Sequence, residues 1–194
     1  MVADDAVLTA RQAERRQRVV RAALELAAEG GYDAVQMRDV AQRASVALGT
    51  IYHYFSSKNH LLAASLVEWT RQFEQSVHRH PPVGVSTLER LVDVLGRFTS
   101  GMRSHERLSA AIITGFASPG EDNAKCQLEV HEVFQRAMFA AFEPDFDAEQ
   151  RRIIVRSLEH VWFSGLIGWT NGWMTLDQAI AELHDAARLL VDRD

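Results

Sequence analysis

Apolar positions recur along the chain at the three- and four-residue spacing of amphipathic helices, and alternating runs of β-branched residues are absent. The four prolines, at 81, 82, 119 and 144, stand between the periodic stretches and not inside them. A first helix is predicted over about 9–29, with Val19, Ala22, Ala23, Leu26 and Ala27 as its inward stripe and Gly30-Gly31 as its stop. Two short helices follow at about 36–43 and 47–53. Ser57 has the position of an N-cap for a long fourth helix running toward Pro81-Pro82, with Leu61, Leu62, Ser65, Leu66, Trp69 and Phe73 on one side. Five more helical patterns, about 86–104, 105–116, 121–142, 147–173 and 176–192, complete an all-α chain. The change of composition around the double proline puts a hinge at 73–85, dividing a first domain (residues 12–72) from a second (73–194).

Composition narrows the class. With 194 residues, 47% of them apolar and 24% charged, the chain can fill the core of one or two domains and is too hydrophobic for disorder. The single cysteine, Cys126, makes no internal disulfide, and the paired spacings of a zinc or iron-sulfur site are missing, as in a reducing compartment. No stretch approaches a run of about 18 apolar residues. The start, Met1-Val2-Ala3-Asp4-Asp5, is acidic where a signal peptide is basic and then apolar, so a soluble, cytoplasmic protein with no membrane partner is expected.

A net charge of -5 argues against a nucleic-acid partner only on average. Residues 1–80 carry ten Arg/Lys and nine Asp/Glu, whereas residues 81–194 carry eleven and seventeen, so the acid lies in the second part. Arg11, Arg15, Arg16, Arg18 and Arg21 crowd the start of the first helix with only Glu14 opposing them, a run that a solvated helix face also produces.

Residues 36–55 read as two short amphipathic helices joined by a tight turn, with Val40, Ala41, Ala44, Val46, Ile51 and Phe55 facing the core. Such a helix-turn-helix sets the start of its second helix against base edges while flanking groups hold phosphate. Leu48, Gly49, Thr50, Tyr52 and His53 are left pointing outward, and hydroxyl, imidazole and phenol groups suit phosphates and base edges. A plain helical hairpin would share the spacing, but the residues themselves are more specific. From Ala23 to Leu62 the chain resembles the DNA-binding domain of tetracycline-repressor (TetR) family regulators, through Gly31-Tyr32, Arg38-Asp39-Val40-Ala41, Gly49-Thr50, Tyr52-His53-Tyr54-Phe55 and Ser57-Lys58. The resemblance implies an N-terminal three-helix reader of double-stranded operator DNA, with Arg38 reaching the duplex from the second helix. It further implies that Leu48, Gly49, Thr50, Tyr52, His53 and Tyr54 form the recognition helix, and that Lys58 adds its ammonium at a phosphate beside a helix N-terminus. Two positions depart from the family: Ser45 stands at the turn glycine and Ala47 at the serine cap of the recognition helix.

In the second part, Phe98, Met102, Ile112, Phe116, Phe134, Met138 and Phe142 recur at helical spacing on three successive helices. Gly96, Gly101 and Gly115 interrupt this region, each costing about 1 kcal/mol against alanine unless something approaches closely. An apolar cavity between bundle helices accounts for both features, with Trp162 joining its wall and Arg97, Arg103 and Arg107 near one end for a ligand phosphate. Ser164, Gly168 and Gly172 form a close-packing seam, matched by Ile180, Leu183, Ala187 and Leu190 on the last helix. Within one chain these two helices could simply pair; the family resemblance implies instead a four-helix homodimer interface.

Residues 30–38, 58–62, 161–166 and 186–191 also resemble the TetR-type repressors of steroid (cholesterol) catabolism. That implies an apolar effector, a steroid-derived or other acyl coenzyme A thioester, which lowers DNA affinity. A TetR-type regulator of efflux or fatty-acid metabolism is the first alternative, and a helical protein-interaction module with a vestigial DNA motif is a further one. An enzyme is disfavoured: after His131-Glu132 the second histidine of HExxH is missing, and no GxSxG or Walker A motif occurs. His78, His80 and His131 read as surface or satisfied histidines, and no cofactor is expected.

Overall fold

The computed structural model describes residues 9–191; the acidic start and the last residue of the final predicted helix, Asp192, lie outside the described residues. These fold into helices with no strand among them: α1 Ala10–Ala34, α2 Met37–Arg43, α3 Leu48–Tyr54, α4 Lys58–Arg79, α5 Thr87–Ser104, α6 Glu106–Phe116, α7 Glu121–Phe139, α8 Ala148–Thr170 and α9 Leu176–Val191. Side chains set the starts of several. Thr9 and Gln12 form a reciprocal capping box on α1, and Ser57, Ser86 and Asp147 each accept from the backbone N–H three residues on. Gly31 breaks α1 with φ 73°, as the double glycine predicts, but one more turn carries the chain on to Ala34. Among the described residues no helix is long and apolar enough to cross a membrane.

The long helix α4 is the shared wall. Its first turns close the core of α1 to α3, and further along it packs on α6 and α7; α6 also lies against α1, while α9 packs on α8 and α5. The expected division at 72/73 therefore falls inside α4, which continues to Arg79. One contiguous buried cluster runs from Val19 through Leu61 and Leu95 to Leu183. Helix α6 comes close to α4 at Gly115, where an added Cβ would lie 2.6 Å from Leu62 Cβ, so the expected close contact exists there. At Gly101 the nearest atom, on Trp69, is at an ordinary 3.6 Å. Gly96 corrects the expectation, since its Cβ position is open.

Candidate DNA interface and effector cavity

Helices α2 and α3 cross on buried Val40, Ala41, Ala44 and Ile51, and Phe55 seals the far end of α3. The connecting turn is closed by Ser45 N–H donating to the Gln42 carbonyl (3.1 Å) and Val46 N–H to that of Ala41 (3.0 Å). Ser45 sits at φ 53°, a left-handed conformation that disfavours non-glycine residues, and Ala47 provides no side-chain cap for α3. Both departures noted in the sequence thus have structural counterparts.

Arg38, Gly49, Tyr52 and His53 are exposed and Thr50 is half-buried, which leaves them available on the outer side of the motif. Leu48 and Tyr54 are half-buried against the core, so the expectation that Leu48 points freely outward is corrected; both help to seat α3. Lys58 is partly engaged within the fold: its Nζ lies 3.7 Å from the centre of the Tyr32 ring and donates to the Tyr32 carbonyl at 3.3 Å. The Tyr32 hydroxyl donates to Asn59 at 2.6 Å, so this corner ties α1 to the start of α4. Of the early arginines, Arg11, Arg15, Arg18 and Arg21 are exposed, whereas Arg16 packs over Phe55 and lies 3.8 Å from Glu68.

Three contacts link this motif to the helices behind it. Ser56 Oγ, just after α3, donates to Asp122 Oδ2 at 2.6 Å, and this bond, foremost, holds the Asp122 carboxyl below its usual range. His60 Nδ1 stands 3.8 Å from the same carboxylate, although burial pushes the imidazole pKa down. Arg107 on α6 donates to the Glu29 carbonyl at 2.8 Å, two residues before the break in α1.

Helices α4 to α8 enclose a cavity of about 520 Å³, within the range of small-molecule sites. Six of the residues expected there line it: Phe98, Met102, Ile112, Phe116, Phe134 and Trp162. Phe98 is the hub, with ring centroids 4.9 Å from Trp69, 5.0 Å from Phe73 and 5.3 Å from Phe134. Met138 and Phe142 are corrections: Met138 is fully buried in solid core and Phe142 packs edge-on against Phe146, and neither reaches the cavity. The three arginines are corrections too. Arg97 pairs with Asp93 (2.9 Å), Arg103 with Asp177 (2.7 Å) and Arg107 with the Glu29 carbonyl, and none lines the cavity. Conversely, the sequence reading missed polar lining residues, His131, Glu159 and Gln127. Gln127, Val130, His131 and Phe134 recur at helical spacing, so one face of α7 already placed His131 beside a phenylalanine chosen for the cavity.

The seam on α8 is closely packed, but against its own chain. A Cβ at Gly168 would meet the Trp173 ring at 2.7 Å, and Ile180, Leu183 and Ala187 are buried beneath α8 and α5, so these four cannot form the expected intersubunit surface. Ser164 and Gly172 are exposed and Leu190 is half-buried. Exposed Trp173 and Leu189 leave apolar side chains on the outside of this helix pair, which periodicity alone did not single out, whereas the partly exposed Phe163 lines the cavity beside Phe116.

A compact helix-turn-helix joined through a shared helix to a bundle with an apolar cavity defines a one-component DNA-binding regulator. Residues 19–65 match the bacterial regulatory proteins of the tetR family, and residues 84–190 match the tetracyclin repressor-like C-terminal domain; the chain belongs to the TetR family and is a DNA-binding transcriptional repressor. It is 38% identical over 160 residues to the HTH-type transcriptional repressor KstR of Rhodococcus jostii (strain RHA1), covering 81% of this chain and 74% of that one. The likeness to steroid-catabolism repressors thus extends across most of the chain. Its fold matches a TetR transcriptional regulator from Rhodococcus sp. RHA1 with a TM-score of 0.81 and 30% identity, over 94% of this chain and 98% of the other. The TetR-family repressor FadR of Thermus thermophilus, in complex with lauroyl-CoA, matches with a TM-score of 0.70 at 20% identity, over 91% and 93% of the two chains.

Proposed function

We propose that the protein is a homodimeric repressor of the bacterial cytoplasm, released from its operator when a steroid-derived or other acyl coenzyme A thioester enters the α4 to α8 cavity. The observation that carries this reading is that α4 belongs to both sites: Lys58 opens it beside the DNA motif, and Leu66, Trp69 and Thr70 in its middle line the cavity. The eleven helical steps from Lys58 to Trp69 span about 16 Å, a rigid connection between a ligand and the reading head. The acyl-CoA complex of the Thermus neighbour and the KstR likeness support the ligand class. In this reading Arg38, Gly49, Thr50, Tyr52, His53 and Lys58 meet DNA, and the outer surfaces of α8 and α9, with Ser164, Trp173 and Leu189, meet the second subunit.

Release requires that the thioester prefer a conformation whose reading heads no longer match successive major grooves, because equal affinity for both conformations shifts nothing. The test is operator binding by fluorescence anisotropy, with DNA from the protein's own gene neighbourhood, titrated with steroid and fatty acyl thioesters. At a hundredfold excess over Kd the effector should stabilise the DNA-free protein by about 2.7 kcal/mol. Operator affinity should fall, and Thr50→Ala and Tyr52→Ala should weaken DNA binding without lowering the melting temperature. Thioesters that raise the melting temperature yet leave operator affinity unchanged would refute the release mechanism.

A further inference from the structure

The cavity wall is apolar around most of its circumference; besides Thr70, His105 and Ser109 on its α4 to α6 side, it carries polar groups where α7 approaches α8. His131 Nδ1 lies 2.5 Å from Glu159 Oε2, and His131 Nε2 lies 2.9 Å from Gln135 Nε2. With the Gln135 amide nitrogen donating, Nε2 accepts and the imidazole proton sits on Nδ1, close to Glu159 Oε2 but off the line of a hydrogen bond, so that this oxygen is buried without a hydrogen-bond partner. The carboxylate, which lines the cavity next to Trp162, keeps unused lone pairs. Glu159 is the deeper partner, with its side chain 18% exposed against 36% for His131. Burial raises its carboxyl pKa, against the opposing effect of His131 and His160. A carboxylate in such a wall is costly unless a donor meets it, and the cavity's occupant is the group placed to do so.

We propose that Glu159, beside His131, selects effectors bearing a hydroxyl group on the apolar skeleton that fills the cavity, accepting its hydrogen bond and excluding a carboxylate from the same place. This rests on the reading of the cavity as the effector site and names a chemical feature that site demands. An ether oxygen cannot donate, so it leaves Glu159 unmet; a fatty carboxylate brings a second negative charge against it. The alcohol alone brings the Glu159 carboxylate a neutral donor.

The experiment measures binding of dodecanol, dodecyl methyl ether and dodecanoate to the full-length protein through the fluorescence of Trp69 and Trp162, both in the cavity wall. Hydrogen bonds to charged groups lead us to expect wild-type protein to prefer the alcohol over the ether by about tenfold or more, with dodecanoate weakest. Glu159→Leu should bind alcohol and ether alike, with its ether affinity at least that of wild type, a result that loss of fold would not produce. Glu159→Gln should keep a preference for the alcohol, because its carbonyl still accepts, and should lose the exclusion of dodecanoate. Equal wild-type affinity for alcohol and ether overturns the assignment, as does a preference that survives in Glu159→Leu. If the wild-type protein binds none of the three, the cavity is not an apolar effector site and the broader reading fails with it.

Discussion

Two helical glycines with opposite surroundings, Gly115 and Gly96, allow the packing between the lobes to be tested by one matched pair of substitutions. At Gly115 on α6, an alanine Cβ would lie 2.6 Å from Leu62 Cβ and 2.9 Å from Leu62 Cδ1. Carbon atoms rest at roughly 3.5–4.0 Å, so relief requires about 1 Å of separation. Leu62 Cβ is fixed to the α4 backbone, so a rotamer change moves Cδ1 but cannot relieve the shorter contact. Overpacking of this kind costs about 1–3 kcal/mol. Replacing a helical glycine returns about 1 kcal/mol of propensity, which leaves a net loss of about 1 kcal/mol. For a chain of this size that lowers the melting temperature by about 2–4 °C. Gly96→Ala is the control, since its Cβ position is open, and it should raise the melting temperature by about the same amount. Calorimetry or circular dichroism on the two variants at one protein concentration measures both signs. A Gly115→Ala variant as stabilised as Gly96→Ala would refute the close approach of α6 to α4.

Two further outcomes follow from buried and bridged groups. The Thr87 hydroxyl donates to Glu143 at 2.5 Å and Arg90 pairs with it, together holding the carboxyl down to about 2. Because the folded value lies below the ordinary 4.5, this stabilisation is present above pH 4.5 and lost as pH falls toward 2; urea midpoints should decline less steeply over that window in Glu143→Gln, and parallel curves would contradict it. The side chain is 42% exposed, so solvent screening keeps the effect small. Burial pushes the Cys126 thiol up to about 11 from an ordinary 9.0, so iodoacetamide at pH 8 should label the native protein at least about 100-fold more slowly than the urea-unfolded chain, whereas rapid native labelling would refute its burial.

Helix boundaries were legible in the sequence because local chemistry writes them: Ser57, Ser86 and Asp147 cap the helices they precede, and Gly31 breaks α1. The reading motif was legible for the same reason, down to the strained Ser45 turn. What periodicity supplies is a face, not the object that covers it. Phe134 and Met138 lie one helical turn apart on α7, yet one borders a void and the other solid core, a difference fixed by how neighbouring helices cross. The small residues of α8 did mark close packing, but Trp173 and Ala179 of the same chain fill the places over Gly168 and Gly165. Glu159 and His131 were unreadable as a pair because they lie on different helices, 28 positions apart.

The way α6 and α7 grip the first lobe also bears on how such regulators can be rewired. Arg107 holds the Glu29 carbonyl, Gly115 admits Leu62, and Asp122 accepts from Ser56. Each contact pairs a residue of the bundle around the cavity with one of the helix-turn-helix lobe, so the two lobes are not interchangeable cassettes. A chimera that joined this reader to a foreign bundle after α4 would strand the Leu62 surface and these polar groups unless the matching positions travelled with it. Selection acting on such a chain can alter base-contacting side chains or cavity walls independently, but it must conserve or co-vary the joint between them.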